Sequence, residues 1–379
     1  MNGPTDDAAN TPTSALQPLS RLSSTLFENS AVLKKTISAS RKLAELKGLA
    51  ASIPNQAILI NTLGLQEAKD SSAIENIVTT HDELFRSATY PDLQASQSAK
   101  EVQRYAHALR AGYDLVTNTG LLRVNDMIAI QAALEQNNAG LRKLPGTALK
   151  DGAGRVVYTP PQHATDIVSL MGDLERFIND DTAFDADPLI KMAIVHHQFE
   201  SIHPFYDGNG RTGRIINVLY MVNKGLLDIP VLYLSSHIVR TKPDYYRLLQ
   251  AVRESGDAPA FWVEWVLYML TAVESTAQQT IRTVTDIKAA LLDYKHRIRD
   301  DFSFYSQDLI NNLFMHPYTK IDFVQRDLEV SRLTATKYLN VLANAGFVRR
   351  VRVGRSNYYV NVALNTVLTN AGTETQTGG

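Results

Sequence analysis

Apolar residues recur at helical spacing along most of the chain, from about Val32 to Ile281, and clusters of Pro or Gly interrupt them at short intervals. This spacing is typical of amphipathic helices, so it predicts a mainly α-helical body. The segment between Leu144 and Pro161 differs, because Thr147–Lys150 and Arg155–Tyr158 flank an Asp-Gly-Ala-Gly turn. We expect a β-hairpin there.

A long amphipathic helix, Glu274 to Phe302, is predicted to connect this body to a different C-terminal unit. From Pro317 to Val360 the pattern gives a short helix, a second helix from Ser331 to Gly346, and then two strands, Phe347 to Val353 and Asn357 to Val360. This order is that of a winged helix-turn-helix.

The C-terminal unit is locally basic. Between Tyr318 and Val360, eight Lys or Arg residues face three Asp or Glu residues, which permits DNA binding without requiring it. A dimerisation or protein-docking module is the equally open alternative. If the unit binds DNA, these side chains should face the duplex: Arg332, Thr334, Thr336 and Lys337 from the helix, and Arg350, Arg352 and Arg355 from the wing.

The composition is that of an ordinary globular protein, since 44% of the 379 residues are hydrophobic and 20% are charged. This length exceeds the usual size of one domain, so we expect more than one folded unit. The formal net charge is -1, so no overall field draws the protein to nucleic acid or to acidic membranes. Because the chain has no cysteine, disulfides, Cys-ligated zinc, iron–sulfur clusters and thiol nucleophiles are excluded.

The sequence predicts a soluble, cytoplasmic protein with no membrane partner. Met1 to Ser20 lacks the basic start and the apolar run of a signal peptide, so we interpret it as a disordered lead. The most apolar run, Phe261 to Val273, is too short to cross a bilayer.

The densest cluster of polar side chains is His203-Pro-Phe-Tyr-Asp-Gly-Asn-Gly-Arg-Thr-Gly-Arg214, and it follows a helix that Asp187 should cap. Pro204 disfavours helical geometry at the preceding residue, so His203 should lie at a helix-to-loop corner. Histidine is mostly neutral near pH 7 and can accept a proton, which makes His203 a candidate general base. Asp207 offers a carboxylate that suits magnesium.

The glycines of this cluster predict an anion site. Gly208 and Gly210 can take positive φ angles around Asn209, so that N–H groups converge, and a helix from Arg211 would add its positive N-terminal dipole. Arg211 and Arg214 lie three positions apart on one helical face, so they could bind adjacent phosphate groups. The cluster therefore predicts a polyphosphate site.

Other interpretations of the same residues are weaker. The glycines satisfy the dinucleotide-binding fingerprint, and Asp228 lies at the expected distance, but a helix precedes them where that fingerprint requires a strand. His196, Glu200 and His203 have metal-ligand spacing on a helix, although Pro204 spoils the geometry at the third. A tight turn alone would leave two arginines and a histidine unexplained, and no P-loop string occurs.

The cluster from His203 to Arg214 resembles the motif of the Fic family, HxFx(D/E)GNGRxxR, at every defined position. The similarity covers roughly Thr79 to Val273. It implies a mainly α fold, with a Fic helical core and a β-hairpin flap, followed here by the winged helix-turn-helix. It also implies adenylylation, the transfer of AMP from ATP to a Ser, Thr or Tyr hydroxyl of a target protein with release of pyrophosphate. The implied nucleotide site uses ATP with Mg2+ on Asp207 and comprises Asp207, Gly208, Asn209, Gly210, Arg211 and Arg214.

Two further groups are candidates for contacts with substrates. Tyr245 and Tyr246 would either contact adenine or pack in the core. The flap residues Val156, Val157 and Tyr158 would register the target segment by main-chain pairing.

An upstream segment, Ser71-Ser-Ala-Ile-Glu75-Asn76, resembles the inhibitory motif (S/T)xxxE(G/N) of Fic proteins. Its position implies an inhibitory helix that precedes the core. The Glu75 carboxylate would pair bidentately with Arg214 and deny it to the γ-phosphate. A solvated Glu on an exposed helix is the alternative.

Three functions stay open: a protein adenylyltransferase, a Fic-type transferase with another nucleotide or phosphate-containing donor, and a DNA-binding transcriptional regulator. A homodimer is open as well. The expected organisation is a disordered lead (1–20), an N-terminal helical region with the inhibitory motif (21–90), the Fic catalytic core (91–275), a linker helix (276–302), the winged helix-turn-helix (303–368) and a disordered tail (369–379).

Overall fold

The computed structural model describes residues 16–89, 96–255, 258–353 and 356–373. Most of these residues are helical, which confirms the mainly α prediction. The helices are α1 (Ser30–Ala51), α2 (Ala57–Ile74), α3 (His81–Thr89), α4 (Gln97–Thr119), α5 (Val124–Glu135), α6 (Ala164–Asn179), α7 (Pro188–Ile202), α8 (Asn209–Asn223), α9 (Leu234–Arg240), α10 (Lys242–Ser255), α11 (Pro259–Asp301), α12 (Gln307–Met315), α13 (Ile321–Leu328), α14 (Arg332–Asn344) and α15 (Val362–Thr373).

The strands form two small antiparallel sheets. The hairpin of β1 (Leu149–Lys150) and β2 (Val156–Tyr158) pairs Leu149 with Tyr158, so the predicted hairpin is present but shorter than expected. In the C-terminal unit, β3 (Tyr318–Lys320), β4 (Val348–Val353) and β5 (Ser356–Asn361) have the order β3-β5-β4.

Helix α7 lies at the centre of the body. Every residue from Leu189 to Ile202 is buried, so the helix is enclosed on all sides. It packs against α6, α8 and α11, which fixes the position of the motif that follows it.

One helix of 43 residues, α11, connects the body to the C-terminal unit. It begins at Pro259, well before the predicted Glu274, because the apolar run from Phe261 continues the same helix without a break. Helix α1 packs along it, and Glu274 forms an ion pair of 2.5 Å with Lys35 of α1. The segment predicted as a linker is thus a packed part of the body.

The C-terminal unit has the predicted helix, helix, strand, strand order, with two additions. Strand β3 joins the sheet and α15 follows it, neither of which the pattern indicated. The wing turn, including Arg355, lies outside the described residues. Gln66 of α2 donates a hydrogen bond of 3.0 Å to the Leu368 carbonyl, so this unit contacts the helix that carries the inhibitory motif.

Parts of the two segments predicted to be disordered, 1–20 and 369–379, have defined structure. Leu19 is buried in a 3-10 turn, Leu19–Arg21, and its N–H donates to Asp173 at 2.7 Å. Helix α15 extends to Thr373. Residues 1–15 and 374–379 lie outside the described residues.

None of the helices in the described ranges combines the length and the apolar character needed to span a membrane.

Candidate functional site

The motif occupies the corner between α7 and α8. Asp187 caps α7 as predicted, accepting from the Leu189 N–H at 2.8 Å. His203 follows the helix with a φ of 50°, a left-handed conformation that is uncommon for a residue with a side chain. Gly208 has the predicted positive φ, 77°, at the start of α8.

Gly210 does not take the predicted positive φ, because α8 begins at Asn209 and not at Arg211. Its lack of a side chain matters for another reason. A Cβ there would collide with the Glu75 carboxylate and lie 3.0 Å from Arg214 Nη1. Glycine thus leaves the first turn of α8 open to an anionic group.

Asn209 and Asp207 shape the loop. The buried Asn209 amide donates to the Phe205 carbonyl and accepts from the Phe205 N–H, both at 2.8 Å, so its side chain holds the loop and does not face a ligand. Asp207 accepts from the Gly208 N–H at 2.7 Å, and its side chain is exposed.

The His203 imidazole is partly buried, and its Nδ1 is shielded from solvent. Burial lowers its pKa to about 4, and the positive charges of Arg253 and Arg142 add to the effect. The ring is therefore neutral at pH 7, which is the form that can accept a proton.

The segment predicted to be inhibitory contacts the second arginine. Arg214, 1% exposed, donates from Nη2 to Glu75 Oε1 at 2.8 Å, and from Nε to Ser71 Oγ at 2.8 Å. Nη2 also donates to the Ser71 carbonyl at 3.0 Å. The predicted pairing of Glu75 and Arg214 is present, but one hydrogen bond joins them where a bidentate pair was expected, and Ser71 accepts from Nε and shares Nη2 with Glu75.

Each charge of this pair stabilises the ionised form of the other group. Burial alone would raise the pKa of Glu75, but Arg214 holds it below its usual value. The pKa of Arg214 is raised in turn by Glu75, against its own burial. Asn76 ends the segment in a left-handed conformation and accepts from Lys242 at 3.1 Å.

The first arginine of the motif is also engaged. Arg211 Nη2 donates to Glu135 at 2.8 Å, and Nη1 lies 3.5 Å from Glu101. Its Nε is buried without a hydrogen-bond partner. Gly208 lies against the same carboxylate, since a Cβ there would be 2.5 Å from Glu135 Oε1.

The two tyrosines differ in their exposure to solvent. Tyr245 is 1% exposed and bonds His196 Nε2 at 2.8 Å through its hydroxyl, so it packs in the core and the adenine-contact interpretation is wrong for it. Tyr246 is 45% exposed. Burial of its hydroxyl and the negative charge of Glu75 raise its pKa to about 12, so the hydroxyl lies within reach of the Glu75 charge.

The flap residues also differ among themselves. Val156 and Val157 are exposed, as docking requires. Tyr158 points inward, where its hydroxyl donates to the Ser201 carbonyl at 3.0 Å and its ring lies 4.3 Å from the Arg253 guanidinium. It anchors the flap and is not free for a target.

The described residues contain no group of three or more His, Cys, Asp or Glu side chains that could hold a metal ion, so the structure lends no support to a metal site at His196, Glu200 and His203. His196 is committed to Tyr245. Burial raises the pKa of Glu200 to about 7.

The motif lines a cavity of about 370 Å³, within the size range of small-molecule sites. Its walls are Glu75, Ile77, Glu101, His203, Tyr206, Asp207, Gly208, Asn209, Gly210 and Arg211. The structure thus brings together the predicted base, loop and inhibitory residue.

Sequence reasoning missed several residues that line or support this cavity. Glu101, Glu135 and Arg142 contact the motif from other elements. Arg253 contacts Glu200, just before the motif, and no spacing rule connects any of the four to it.

Comparisons with known proteins agree with this architecture. Three family models match: Fic/DOC family N-terminal over residues 33–114, Fic/DOC family over 121–221, and the protein adenylyltransferase SoFic-like C-terminal domain over 292–364.

Individual relatives share part of the chain. It is similar to protein adenylyltransferase fic-1 of Caenorhabditis elegans, with 30% identity over 168 residues, or 42% of this chain and 30% of the relative. Protein adenylyltransferase Fic of Aedes aegypti is 29% identical over 145 residues, covering 38% and 28% of the two chains. The chain thus spans about a third of the length of these curated relatives.

A crystal structure of a Fic family protein from Desulfovibrio desulfuricans has the same fold, with a TM-score of 0.54 and 21% identity, covering 88% of this chain and 97% of that one. The helical body with its hairpin is therefore the Fic fold. Since the three family models account for most of the chain and the motif matches throughout, the chain belongs to the Fic/DOC family.

Proposed function

We propose that the protein transfers AMP from ATP to a Ser, Thr or Tyr hydroxyl of a target protein, itself included, with release of pyrophosphate. The observation that carries this proposal is a neutral histidine that lines a cavity beside the N-terminus of α8. The names of the relatives support the same reaction.

His203 acts as the general base. The target hydroxyl loses its proton to the imidazole as its oxygen attacks the α-phosphorus, and the bond from that phosphorus to the pyrophosphate oxygen breaks. A bound polyphosphate opposes the positive charges of Arg142 and Arg253, so it raises the His203 pKa from about 4 towards working pH.

The phosphates bind at the first turn of α8. The N–H groups of Gly210 and Arg211 point out of the helix end, where the dipole favours negative charge. Arg214 binds the γ-phosphate once Glu75 has left it, and Arg211 binds the neighbouring phosphate. These contacts stabilise the charge that develops on pyrophosphate.

Mg2+ fits the chemistry of the loop. Asp207 presents an exposed carboxylate, and magnesium commonly takes one or two carboxylates together with substrate phosphates. When bound, the ion would neutralise part of the phosphate charge.

The target segment pairs with the flap. Val157 lies between two residues that face β1, so its N–H points away from the hairpin and can register a target strand. Tyr246 is the remaining candidate for adenine contact, because it is exposed beside the motif.

A DNA-binding regulator is the second candidate function. The exposed basic residues of the C-terminal unit support it: Arg332, Lys337, Arg349, Arg350 and Arg352. Arg332 forms an ion pair of 2.7 Å with Asp322 that DNA would have to displace. Salt-sensitive binding of duplex DNA by the full chain, lost on charge reversal at Lys337 and Arg350, would favour this function. Cytoplasmic location and a homodimer also stay proposals.

The test of the base is His203→Ala. ATP affinity by calorimetry should stay within about twofold, because the phosphate contacts lie elsewhere, while transfer to protein is lost. Retained transfer would remove His203 as the base. Competition among ATP, GTP, CTP and UTP distinguishes AMP transfer from the use of another donor.

A further inference from the structure

The end of α7 is held by side chains from outside the helix. The last carbonyl groups of a helix have no partner within it. Here each carbonyl from residue 200 to 203 accepts such a hydrogen bond: Glu200 from Arg253 Nη2 at 2.9 Å, Ser201 from the Tyr158 hydroxyl at 3.0 Å, Ile202 from Arg142 Nη2 at 3.3 Å, and His203 from Arg142 Nε at 2.7 Å. We call Arg142, Tyr158 and Arg253 the α7 clamp.

The three members of the clamp tie separate segments together. Arg142 precedes the flap and also donates to the Pro161 carbonyl, beyond the flap, at 2.9 Å. Tyr158 ends the flap. Arg253, on α10, stacks on the Tyr158 ring and donates to Ser201 Oγ at 3.0 Å. The same contacts therefore fix both the helix end and the flap.

Burying two guanidinium groups costs free energy unless nearby negative charge or dipoles offset it. Arg142 is 1% exposed, and its Nη1 has no hydrogen-bond partner. Burial lowers the pKa of Arg142 and of Arg253. Guanidinium groups are normally buried beside carboxylates, whereas these two lie on the negative end of a helix dipole. The negative end of the α7 dipole, together with the hydrogen bonds to its carbonyl groups, compensates for part of this cost.

We propose that Arg142 and Arg253 are positioning residues that hold His203 and the flap in a fixed relation, so that a target segment on the flap presents its hydroxyl to the imidazole. This inference rests on the proposed transfer reaction. Its physical basis is that reacting groups must be placed within a fraction of an ångström, and His203 has an uncommon φ of 50° that its surroundings must maintain.

The clamp also affects the charge of the imidazole. Burial, Arg253 and Arg142 lower the His203 pKa to about 4, in that order, while the Glu200 backbone and the Glu75 charge oppose them. Removing the Arg253 charge should therefore raise the His203 pKa.

The test uses the full chain carrying Glu75→Gly. Arg253→Met removes both the charge and the hydrogen bonds, and Arg253→Lys keeps the charge. Arg247→Met is the matched control, because this α10 arginine is exposed and pairs with Asp244 and Glu264, away from His203.

With Arg253→Met we expect kcat for protein modification to fall about tenfold to a hundredfold, ATP affinity to change less than twofold, and Arg253→Lys to recover part of the rate. The His203 pKa, read by NMR, should rise in Arg253→Met but not in Arg253→Lys or Arg247→Met. The control should match its parent. A kcat in Arg253→Met equal to that of the Glu75→Gly parent would overturn the proposal.

Deuterium exchange at Val156 to Tyr158 separates failure of the clamp from failure of the transferase assignment. If no transfer occurs in any variant, faster exchange in Arg253→Met still supports the clamp, and unchanged exchange overturns it. Should Arg253→Met not fold, Tyr158→Phe removes only the hydroxyl on the Ser201 carbonyl. Faster flap exchange is expected there, and none would contradict the clamp.

Discussion

Replacing Glu75 by Gly should raise transferase activity, because it frees Arg214 for the γ-phosphate. The two side chains share one hydrogen bond of 2.8 Å. A hydrogen bond between charged groups contributes about 1.5 to 3 kcal/mol. Glu75 is 36% exposed, so we take the low end, about 1.5 kcal/mol, after solvent screening. That corresponds to roughly a tenfold rise in activity at limiting ATP.

The assay is the initial rate of AMP incorporation into protein at ATP well below saturation. Glu75→Gln keeps the side-chain length and removes the charge, so it should give most of the gain. Adding Arg214→Ala to Glu75→Gly should abolish the gain, since the released guanidinium is then absent. Exposed Glu264→Gln, remote from Arg214, is the matched control and should leave the rate unchanged.

Stability provides a second measurement. Without Glu75, Arg214 stays buried with only Ser71 as a partner, so melting of Glu75→Gly should occur at lower temperature without ATP and recover with it. Equal rates for wild type and Glu75→Gly, with melting unchanged, would refute the inhibitory role.

Three other predictions concern stability and docking. Burial raises the pKa of Glu67 to about 8, above its unfolded value of 4.5, so the protonated side chain contributes stability that is lost as pH rises through that window. The melting temperature of wild type should therefore fall relative to that of Glu67→Gln as the pH is raised from 5 to 8. Gly112→Ala places a Cβ 2.5 Å from Leu219 Cδ1 between α4 and α8, so denaturant unfolding should show a loss of about 1 to 3 kcal/mol, whereas Gly172→Ala, which meets nothing within 4 Å, should show none. Val157→Pro should reduce transfer to protein while sparing ATP binding, and Val157→Thr, which keeps the N–H, should not; equal transfer by both would exclude main-chain docking.

Local features of the chain could be predicted because they depend on neighbouring residues. Asp187 caps α7, His203 lies at a corner because of Pro204, and Gly208 starts α8 with a positive φ, all as expected from short-range rules. The pairing of Glu75 with Arg214 was predicted through a resemblance, since their spacing in sequence carries no signal.

Long-range features could not be predicted. Whether Tyr245 faces a ligand or the core depends on His196, and whether Asn209 binds phosphate or the loop depends on Phe205. Contacts such as those of Arg142 with the end of α7 join residues far apart in sequence, where hydrophobic periodicity gives no information.

The central claim is that this motif transfers AMP with His203 as the base. The most direct measurement is the intact mass of the Glu75→Gly protein after incubation with ATP and Mg2+, beside Glu75→Gly with His203→Ala. We predict a gain equal to one or more AMP groups in the first protein and none in the second. No adduct with any nucleoside triphosphate, on this chain or on an added target, or an equal adduct without His203, would contradict the account.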